Sequence, residues 1–262
     1  MSHPLQGKHA LVCGGSEGIG LATAQALAAM GADVTVLSRR ASRLSEVAAA
    51  LPCPAPGQRH GFVAADASDG EGLSAAVQAL CAAQPVHILV NNTAGPPGGP
   101  AHAASPDDYV AVFGQHLVAG QRLVQAVLPG MKADGWGRIV NVISTSVKEP
   151  IANLGVSNTI RGAVASWAKT LASELGPFGI TVNNVLPGYT RTQRLDQILT
   201  ERAAATGQPA DTIAKGMLAT VPAGRFAEPA EIAAAIAFLA SVPAGYVNGI
   251  NLPVDGGRTR SL

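Results

Sequence analysis

The stretch HALVCGGSEGIGLATAQALAAMG, residues 9–31, decides the fold of this 262-residue chain. It starts as an apolar run, passes through glycines at positions 14, 18 and 20, and continues into an alanine-rich helical pattern. A strand that enters a helix through so tight a turn needs torsion angles that glycine adopts freely. The turn also presents main-chain N–H groups at a helix N-terminus, where a diphosphate can bind. This stretch therefore predicts a first strand, a first helix and a nucleotide-binding turn, with GxxxGxG spacing.

Strand-like and helix-like segments alternate along the rest of the chain. The strand-like segments are continuous apolar runs, which is typical of strands covered on both faces. This alternation predicts a single α/β domain over residues 1–262, of Rossmann type, with a doubly wound parallel seven-stranded sheet and helices on both faces. The predicted strands are 9–13, 33–38, 61–66, 86–92, 137–144, 179–186 and 250–255, and the predicted helices are 18–31, 42–50, 69–83, 106–132, 155–175 and 228–241.

Three irregular segments interrupt this alternation, at residues 52–60, 95–106 and about 190–225. The last two follow the fourth and sixth predicted strands. Ligands of open parallel sheets bind beyond the carboxyl ends of the strands, so long excursions there are candidate pocket walls. We expect the segment at 190–225 to be a substrate lid. Its polar residues either favour an anionic substrate or face water; they include Gln193, Arg194, Arg202 and Lys215.

Composition and charge narrow the class of protein. Hydrophobic residues make up 47% of the chain, charged residues 13%, and the formal net charge is +1. These values predict a folded protein that binds neither nucleic acid nor a membrane surface. The three cysteines form no CxxC pair and no cluster with histidine, which argues against a metal site and fits a reducing compartment. Without a leader-like segment or a membrane-spanning apolar run, the expectation is a soluble cytoplasmic protein.

Several motifs in order along residues 5–257 together resemble the short-chain dehydrogenase/reductase family. GKHALVCGGSEGIG is similar to that family's TGxxxGIG opening, with Cys13 in place of the usual threonine. LVNNTAG (89–95) is similar to its NNAG segment with Thr93 inserted, and LPGYTRT (186–192) to its PGxxxT segment. Asp66 resembles the adenine-side aspartate, and the VDGG ending is also typical of the family.

The resemblance implies hydride transfer between a nicotinamide cofactor and a carbonyl or alcohol substrate, similar to that of 3-oxoacyl-acyl-carrier-protein reductases. It also implies a homo-oligomer, a dimer or a tetramer, formed through the long helical patterns at 106–132 and 155–175. The cofactor-binding residues that it implies are Gly14, Ser16, Glu17, Gly18, Ile19, Gly20, Ser38, Arg39, Arg40, Asp66, Ala67, Asn92, Ala94, Gly95, Arg161, Pro187, Gly188, Thr190 and Thr192.

The end of the second predicted strand bears on which cofactor binds. A carboxylate there would accept hydrogen bonds from the ribose of NAD(H). Ser38 occupies that position, and Arg39 and Arg40 follow it. Guanidinium groups bind a phosphate bidentately, so the sequence favours NADP(H), with its 2′-phosphate. The alternative is that the two arginines are a solvated pair at a helix start.

The catalytic set departs from the family pattern, which combines a serine, a tyrosine, a lysine and an asparagine. Ser144 matches the serine, whereas Ser157, Arg161 and His116 stand at the other three positions. A serine hydroxyl is a weak acid and an arginine stays protonated, whereas a histidine with an ordinary pKa of ~6.5 is a good general acid. Arg161 can still hold a ribose or stabilise an oxyanion. Its i, i+4 spacing from Ser157 places both on one helix face.

Three functions are compatible with this altered set. Reduction continues, with Ser144 and Arg161 stabilising the alkoxide and a proton coming from His116, Tyr189 or water. Or the chain binds NADP(H) with little chemistry, as a sensor or an oligomer partner. Or the reaction is redox-neutral, as in halohydrin dehalogenases, which are similar to this family and also carry arginine at the lysine position. Those enzymes keep the tyrosine and fill the nucleotide pocket, the reverse of this sequence, so the first function is preferred.

Each altered residue also has a structural alternative. A histidine at 116 can be a hydrogen-bonded core residue, and a serine at 157 can simply make room for its neighbours. An arginine at 161 can pair with a carboxylate on the helix surface.

Overall fold

The apolar runs form the strands of one parallel sheet in the computed structural model, which describes residues 3–261. The strands are β1 (His9–Cys13), β2 (Asp33–Ser38), β3 (His60–Ala64), β4 (Ile88–Asn91), β5 (Gly137–Val142), β6 (Ile180–Pro187) and β7 (Asn251–Val254). Their order is β3-β2-β1-β4-β5-β6-β7, and every neighbouring pair is parallel. The chain runs outward from β1 to β3 and then returns to β4. The predicted doubly wound sheet is therefore confirmed.

Helices cover both faces of the sheet. In the described part of the chain they are α1 (Gly18–Ala29), α2 (Ala41–Ala50), α3 (Gly70–Ala83), α4 (Pro106–Phe113), α5 (Ala119–Ala133), α6 (Gly155–Leu175), α7 (Gln193–Thr206), α8 (Ala210–Leu218) and α9 (Pro229–Leu239). Leu27, Leu44 and Ile232 bring α1, α2 and α9 into one core cluster. Leu73 and Val127 bring α3 and α5 into a second cluster with α6 on the opposite face. Among residues 3–261, no helix has the length and apolarity needed to cross a lipid bilayer.

The helix predicted over residues 106–132 is interrupted in the middle. A capping box between Ser105 and Asp108 begins α4, which ends at Phe113. Residues 114–118 then form a π-helical turn that leads into α5. Such turns accommodate one extra residue in a helix and are frequent at functional sites. Here the turn directs His116 into the protein, where its ring is buried.

The segment at about 190–225, expected to be irregular, contains α7 and α8. The two helices are separated by Gly207, which ends α7 with a φ of +69°, and by Pro209 at the start of α8. Leu195, Met217 and Phe226 form a small apolar cluster that holds them to the domain. The expectation of an irregular segment is wrong, because two short helices that pack on this separate cluster occupy most of it.

An amide ladder fixes the register of the four strands on the β4 side of the sheet. Asn91 Nδ2 donates to Asn141 Oδ1 over 2.9 Å, and Asn141 Nδ2 donates to Asn184 Oδ1 over 2.9 Å. Asn184 Nδ2 donates to Asn251 Oδ1 over 2.8 Å. Paired amides of this kind rigidify a core, and among these four side chains the Asn91 Oδ1 atom at the end of the ladder is buried without a partner in the described structure. The ladder therefore holds the loops that follow β4, β5 and β6 at fixed positions.

Candidate functional site

A cleft of about 530 Å³ runs along the carboxyl ends of the strands. We call its two parts the turn end, built by residues 13–19, 37–39 and 65–67, and the arginine end, built by the loops after β4, β5 and β6 with parts of α6 and α7. The cleft is lined by every predicted site residue except Gly20 and Arg40. The structure thus gathers in one place residues that the sequence spreads over 180 positions, from Gly14 to Arg194.

The glycine-rich turn brings main chain close to main chain. Gly14 has a φ of +59°, and a Cβ on it would lie 2.6 Å from Asn92 O. A Cβ on Gly20 would lie 2.0 Å from Gly14 O, far inside van der Waals contact. No side chain caps the first turn of α1, whose N-cap residue is Glu17. The N–H groups at this helix start therefore need an acceptor, which fits the diphosphate of a dinucleotide.

The end of β2 provides a second place for an anion. Ser16 Oγ donates to Ser38 Oγ over 3.3 Å. Arg39 lines the cleft and makes no ion pair with any residue that the structure describes. Arg40 lies outside the cleft lining and pairs with Glu17 at 3.5 Å, with both side chains largely exposed. Arg39 is therefore better placed than Arg40 to bind a phosphate.

Asp66 lies beside Arg39 at the turn end, just after β3. Its Oδ1 accepts hydrogen bonds from Ser68 N at 2.9 Å and Ser68 Oγ at 2.8 Å. These two bonds, with a smaller contribution from Arg39, hold the pKa of Asp66 below its ordinary value. The carboxylate is thus ionised and fixed by its own loop, at the edge where the resemblance expects an adenine.

Arg161 dominates the arginine end. Its side chain projects from α6, and the residue is only 7% exposed. Nη1 donates to Val142 O over 2.9 Å, and no carboxylate of the described residues lies within 4.0 Å. Burial, and then the charge of Arg194, lower the pKa of Arg161 to about 10. The guanidinium therefore stays positive at neutral pH, and the absence of a carboxylate nearby among the described residues argues against the salt-bridged alternative.

Two serines lie at the same end of the cleft as Arg161. Ser157 is four residues before Arg161 on α6, so both point to one side of the helix. Ser144 follows β5, and its Oγ accepts a hydrogen bond from Ser146 N over 3.1 Å. That bond fixes the Ser144 hydroxyl oxygen and leaves its proton available to donate.

His116 is held as a neutral group. Its Nδ1 is hydrogen-bonded to Thr93 Oγ1 at 2.5 Å, and its ring also bonds the backbone of Ala94. Burial, and then the charge of Arg161, lower the pKa of His116 to about 3. The expectation of a histidine with an ordinary pKa is therefore wrong, because the ring is buried and lies near the Arg161 cation. The ring instead tethers the loop after β4.

Tyr189 lies two residues after the end of β6, in a loop that belongs to the arginine end of the cleft. Its ring packs edge-on against Phe226, with centroids 6.3 Å apart, and Arg258 stacks over it at 4.8 Å. The residue lines the cleft with Gln193 and Arg194 from the start of α7. The other two polar residues expected in the lid, Arg202 and Lys215, do not line the cleft.

Sequence reasoning missed three residues of this site. Thr93 stood out only as an insertion, and nothing in the sequence shows that it binds His116. Gln115 lines the cleft because the π-helical turn rotates it there. Arg258, beyond the VDGG ending, reaches back to Tyr189 and donates to Thr145 Oγ1 over 3.3 Å.

Comparisons with known proteins agree with this architecture. A family model described as enoyl-(acyl carrier protein) reductase matches residues 14–259. The 3-oxoacyl-acyl-carrier-protein reductase of Vibrio cholerae is 35% identical over 256 residues, covering 97% of this chain and 98% of the relative. Gluconate 5-dehydrogenase of Gluconobacter oxydans is 34% identical over 269 residues, covering 100% of each chain.

A solved structure is also similar to this chain in its fold. L-sorbose reductase from Gluconobacter frateurii, complexed with NADPH and L-sorbose, is 31% identical and superposes with a TM-score of 0.92 over 100% of each chain. These relatives are oxidoreductases. The extent of the family match and the identities place the chain plainly: it belongs to the short-chain dehydrogenase/reductase family.

Proposed function

We propose that this chain is an NADP(H)-dependent oxidoreductase of a carbonyl or alcohol substrate, with a non-standard proton donor. The observation that carries the proposal is the single cleft that joins the glycine-rich turn to Ser144 and Arg161. A dinucleotide bound along it would bring its nicotinamide to these side chains. When bound, NADP(H) supplies or accepts the hydride.

The residues at the turn end fit the cofactor. The uncapped start of α1 offers N–H groups to the diphosphate, and Arg39 offers a guanidinium to the 2′-phosphate. The NADPH complex of L-sorbose reductase supports this choice of cofactor. The further residues that we assign to the cofactor are Ser16, Ser38, Asp66, Ala67, Asn92, Ala94, Gly95, Pro187, Gly188, Thr190 and Thr192.

Ser144 and Arg161 form the electrophilic side of the site. We infer that Ser157 and Arg161 stand where the family carries its tyrosine and lysine. The Ser144 hydroxyl and the Arg161 guanidinium can both donate to an oxygen that gains negative charge during reduction. Fixed donors to such an oxygen contribute about 2.7–4 kcal/mol each to the stability of the transition state. Arg161 can also hold the ribose next to the nicotinamide.

The proton is best assigned to Tyr189 or to water. Ser157 is too weak an acid, Arg161 keeps its proton, and His116 is neutral and already bonded to Thr93. The phenol of Tyr189 lines the cleft after β6. This assignment removes His116 from the direct proton route.

A second candidate function is NADP(H) binding with little turnover, as a sensor or an oligomer partner. The observation that favours it is that Ser157, Arg161 and His116 all lack a proton that exchanges near neutral pH. Homo-oligomer formation and a cytoplasmic location stay predictions from the sequence.

Two measurements decide between these functions. Fluorescence titration with NADPH and NADH gives the cofactor preference, and turnover of a panel of ketones, quinones and imines gives the activity. Tighter NADPH binding together with turnover of any acceptor supports the oxidoreductase. Tight NADPH binding without turnover of any acceptor supports the second function, and no binding of either cofactor contradicts both.

A further inference from the structure

The turn end of the cleft carries both signs of charge, with Arg39 beside Glu17 and Asp66, whereas the arginine end carries positive charge only. The acidic residues that line the cleft are Glu17 and Asp66, and both belong to the turn end. At the arginine end the lining contains Arg161 and Arg194 and no carboxylate of any described residue. A cleft lined by one sign of charge concentrates ligands of the opposite sign.

Arg161 has fewer hydrogen-bond partners in the described part of the protein than its guanidinium has N–H donors. A guanidinium has five N–H donors. The described structure gives Arg161 one hydrogen bond, to Val142 O, although the residue is only 7% exposed. Nη2 lies 3.7 Å from the position of a Cβ on Gly95, so it faces the loop after β4 rather than the core. A ribose hydroxyl can accept a hydrogen bond from one of the remaining N–H groups, but it cannot neutralise the positive charge of the guanidinium.

Arg194 adds a second cation to the lining of the cleft. It is the second residue of α7, and its Nη2 donates to Pro96 O over 2.8 Å, which fixes the guanidinium above the loop after β4. Glu201 is 3.8 Å from Nη1, and its side chain is 55% exposed, so the pairing is weak. The start of α7 contributes partial positive charge of its own. Both guanidinium groups line the same cleft, and the charge of Arg194 lowers the pKa of Arg161, so an anion bound between them would relieve their repulsion.

A carboxylate matches this arrangement. Its two oxygens accept from a guanidinium fork in one plane, and two arginines together satisfy both oxygens. We propose that the substrate is an oxo acid or hydroxy acid whose carboxylate binds between the guanidinium groups of Arg161 and Arg194, an assignment that rests on the function proposed above. The reacting oxygen then lies toward Ser144, and α7 closes over the bound acid through Arg194.

The first test compares acid and neutral forms of one compound. The probes are acetoacetate, its methyl ester and S-acetoacetyl-N-acetylcysteamine, with NADPH as the reductant. We expect kcat/KM for the acid to exceed those of the ester and thioester by about tenfold or more. Arg194→Gln is expected to raise KM for acetoacetate about tenfold or more and to raise KM for the ester much less, so that the preference for the acid falls. Arg202→Gln, in the same helix but outside the cleft, removes an equal charge and is expected to alter neither.

The second test does not depend on turnover. Calorimetry of the NADPH complex with malonate, malonamide and inorganic phosphate measures anion binding alone. Malonate binding that weakens in Arg194→Gln but not in Arg202→Gln supports the carboxylate site even if no acceptor is reduced. Equal kcat/KM for acid and ester, equal malonate affinity in the two variants, or binding of phosphate but not malonate overturns the proposal.

Discussion

The turn end and the arginine end of one cleft are built by different means. At the turn end the wall is main chain, and Gly14 and Gly20 are packed so closely that neither has room for a Cβ. At the arginine end the wall is side chains that come from separate elements: Ser144 after β5, Arg161 on α6 and Arg194 on α7. Main-chain walls follow from local sequence, whereas side-chain walls depend on tertiary packing.

The two ends also differ in what they cost the fold. A glycine turn loses chain entropy when the protein folds, but glycine adopts the torsion angles of the turn without strain. A buried guanidinium without a carboxylate partner is destabilising unless a ligand or solvent compensates it. The presence of Arg161 at such a site therefore points to a role toward a bound molecule rather than toward the fold.

The largest expected effect on cofactor affinity comes from a substitution at the turn end. In Gly20→Ala the new Cβ would meet Gly14 O at 2.0 Å, so the turn must open and its N–H groups leave their positions. Loss of two hydrogen bonds to a charged diphosphate, at about 1.5 kcal/mol each, corresponds to a drop in NADPH affinity of more than about 100-fold. Overpacking should also lower the free energy of unfolding by about 1–3 kcal/mol.

Gly216→Ala, in α8, is the matched control, because a Cβ there meets nothing within 4 Å. It is expected to leave NADPH affinity unchanged and to raise the free energy of unfolding by about 0.5–1 kcal/mol. If Gly20→Ala bound NADPH as well as the wild type does, the turn would not be the diphosphate site.

Arg161→Met tests the opposite behaviour at the arginine end. Removing the guanidinium should lower kcat by about 100-fold, the usual result of losing one oxyanion donor. The same change should raise the free energy of unfolding by about 1–3 kcal/mol, because an uncompensated buried charge is replaced by an apolar chain of similar length. Steady-state kinetics and urea denaturation measure the two effects. A variant that lost stability and kept its rate would make Arg161 a structural residue.

Arg39→Ala tests the turn end with a smaller expected loss of NADPH affinity than Gly20→Ala. One charge-assisted hydrogen bond is worth about 1.5–3 kcal/mol, so NADPH affinity should fall by about 10- to 100-fold. NADH affinity should hardly change, because NADH has no 2′-phosphate. Arg43→Ala is the control, since Arg43 pairs with Glu46 on the exposed side of α2 and lies outside the cleft lining. A loss of NADH affinity with NADPH affinity intact would reverse the assignment of the cofactor.

The same contrast explains what the sequence could predict. Each predicted strand is present with its ends shifted by at most two residues. The inner strands are covered on both faces and are therefore rich in apolar residues, which makes them easy to recognise. The turn end was also predictable, since the glycines are adjacent in sequence. Ser16, Ser38 and Arg39 lie in the cleft as expected.

The chemistry of the arginine end was less predictable for physical reasons. The reference pKa of His116 says nothing about its burial beside Arg161, which comes from an α6 that starts 39 residues later. The π-helical turn at 114–118 leaves no mark in the apolar pattern of residues 106–132. The helices of the lid were missed because Leu195 and Met217 pack on a satellite cluster and not on the main core.

His116→Asn is expected to have the smallest effect on the rate. It is also the sharpest test of the arginine end. Because its folded pKa is about 3, the rate should stay flat across its ordinary titration range near ~6.5 in both the wild type and His116→Asn. The residue should act on stability instead. Its full contribution is present above the unfolded pKa of ~6.5 and is lost as the pH falls toward the folded value, by up to about 1.4 kcal/mol per pH unit.

Urea denaturation of both proteins at about pH 7.5 and about pH 5 measures this contribution, which should make the wild type lose about 2 kcal/mol more than His116→Asn. Burial lowers the pKa values of His9 and His87 as well, but these residues are the same in both proteins and their contributions cancel. Equal losses in the two proteins, together with a rate that titrates near neutral pH in the wild type alone, would return His116 to the proton route. The arginine end would then hold a titrating acid, and the absence of a phenol at position 157 would no longer require Tyr189 or water as the donor.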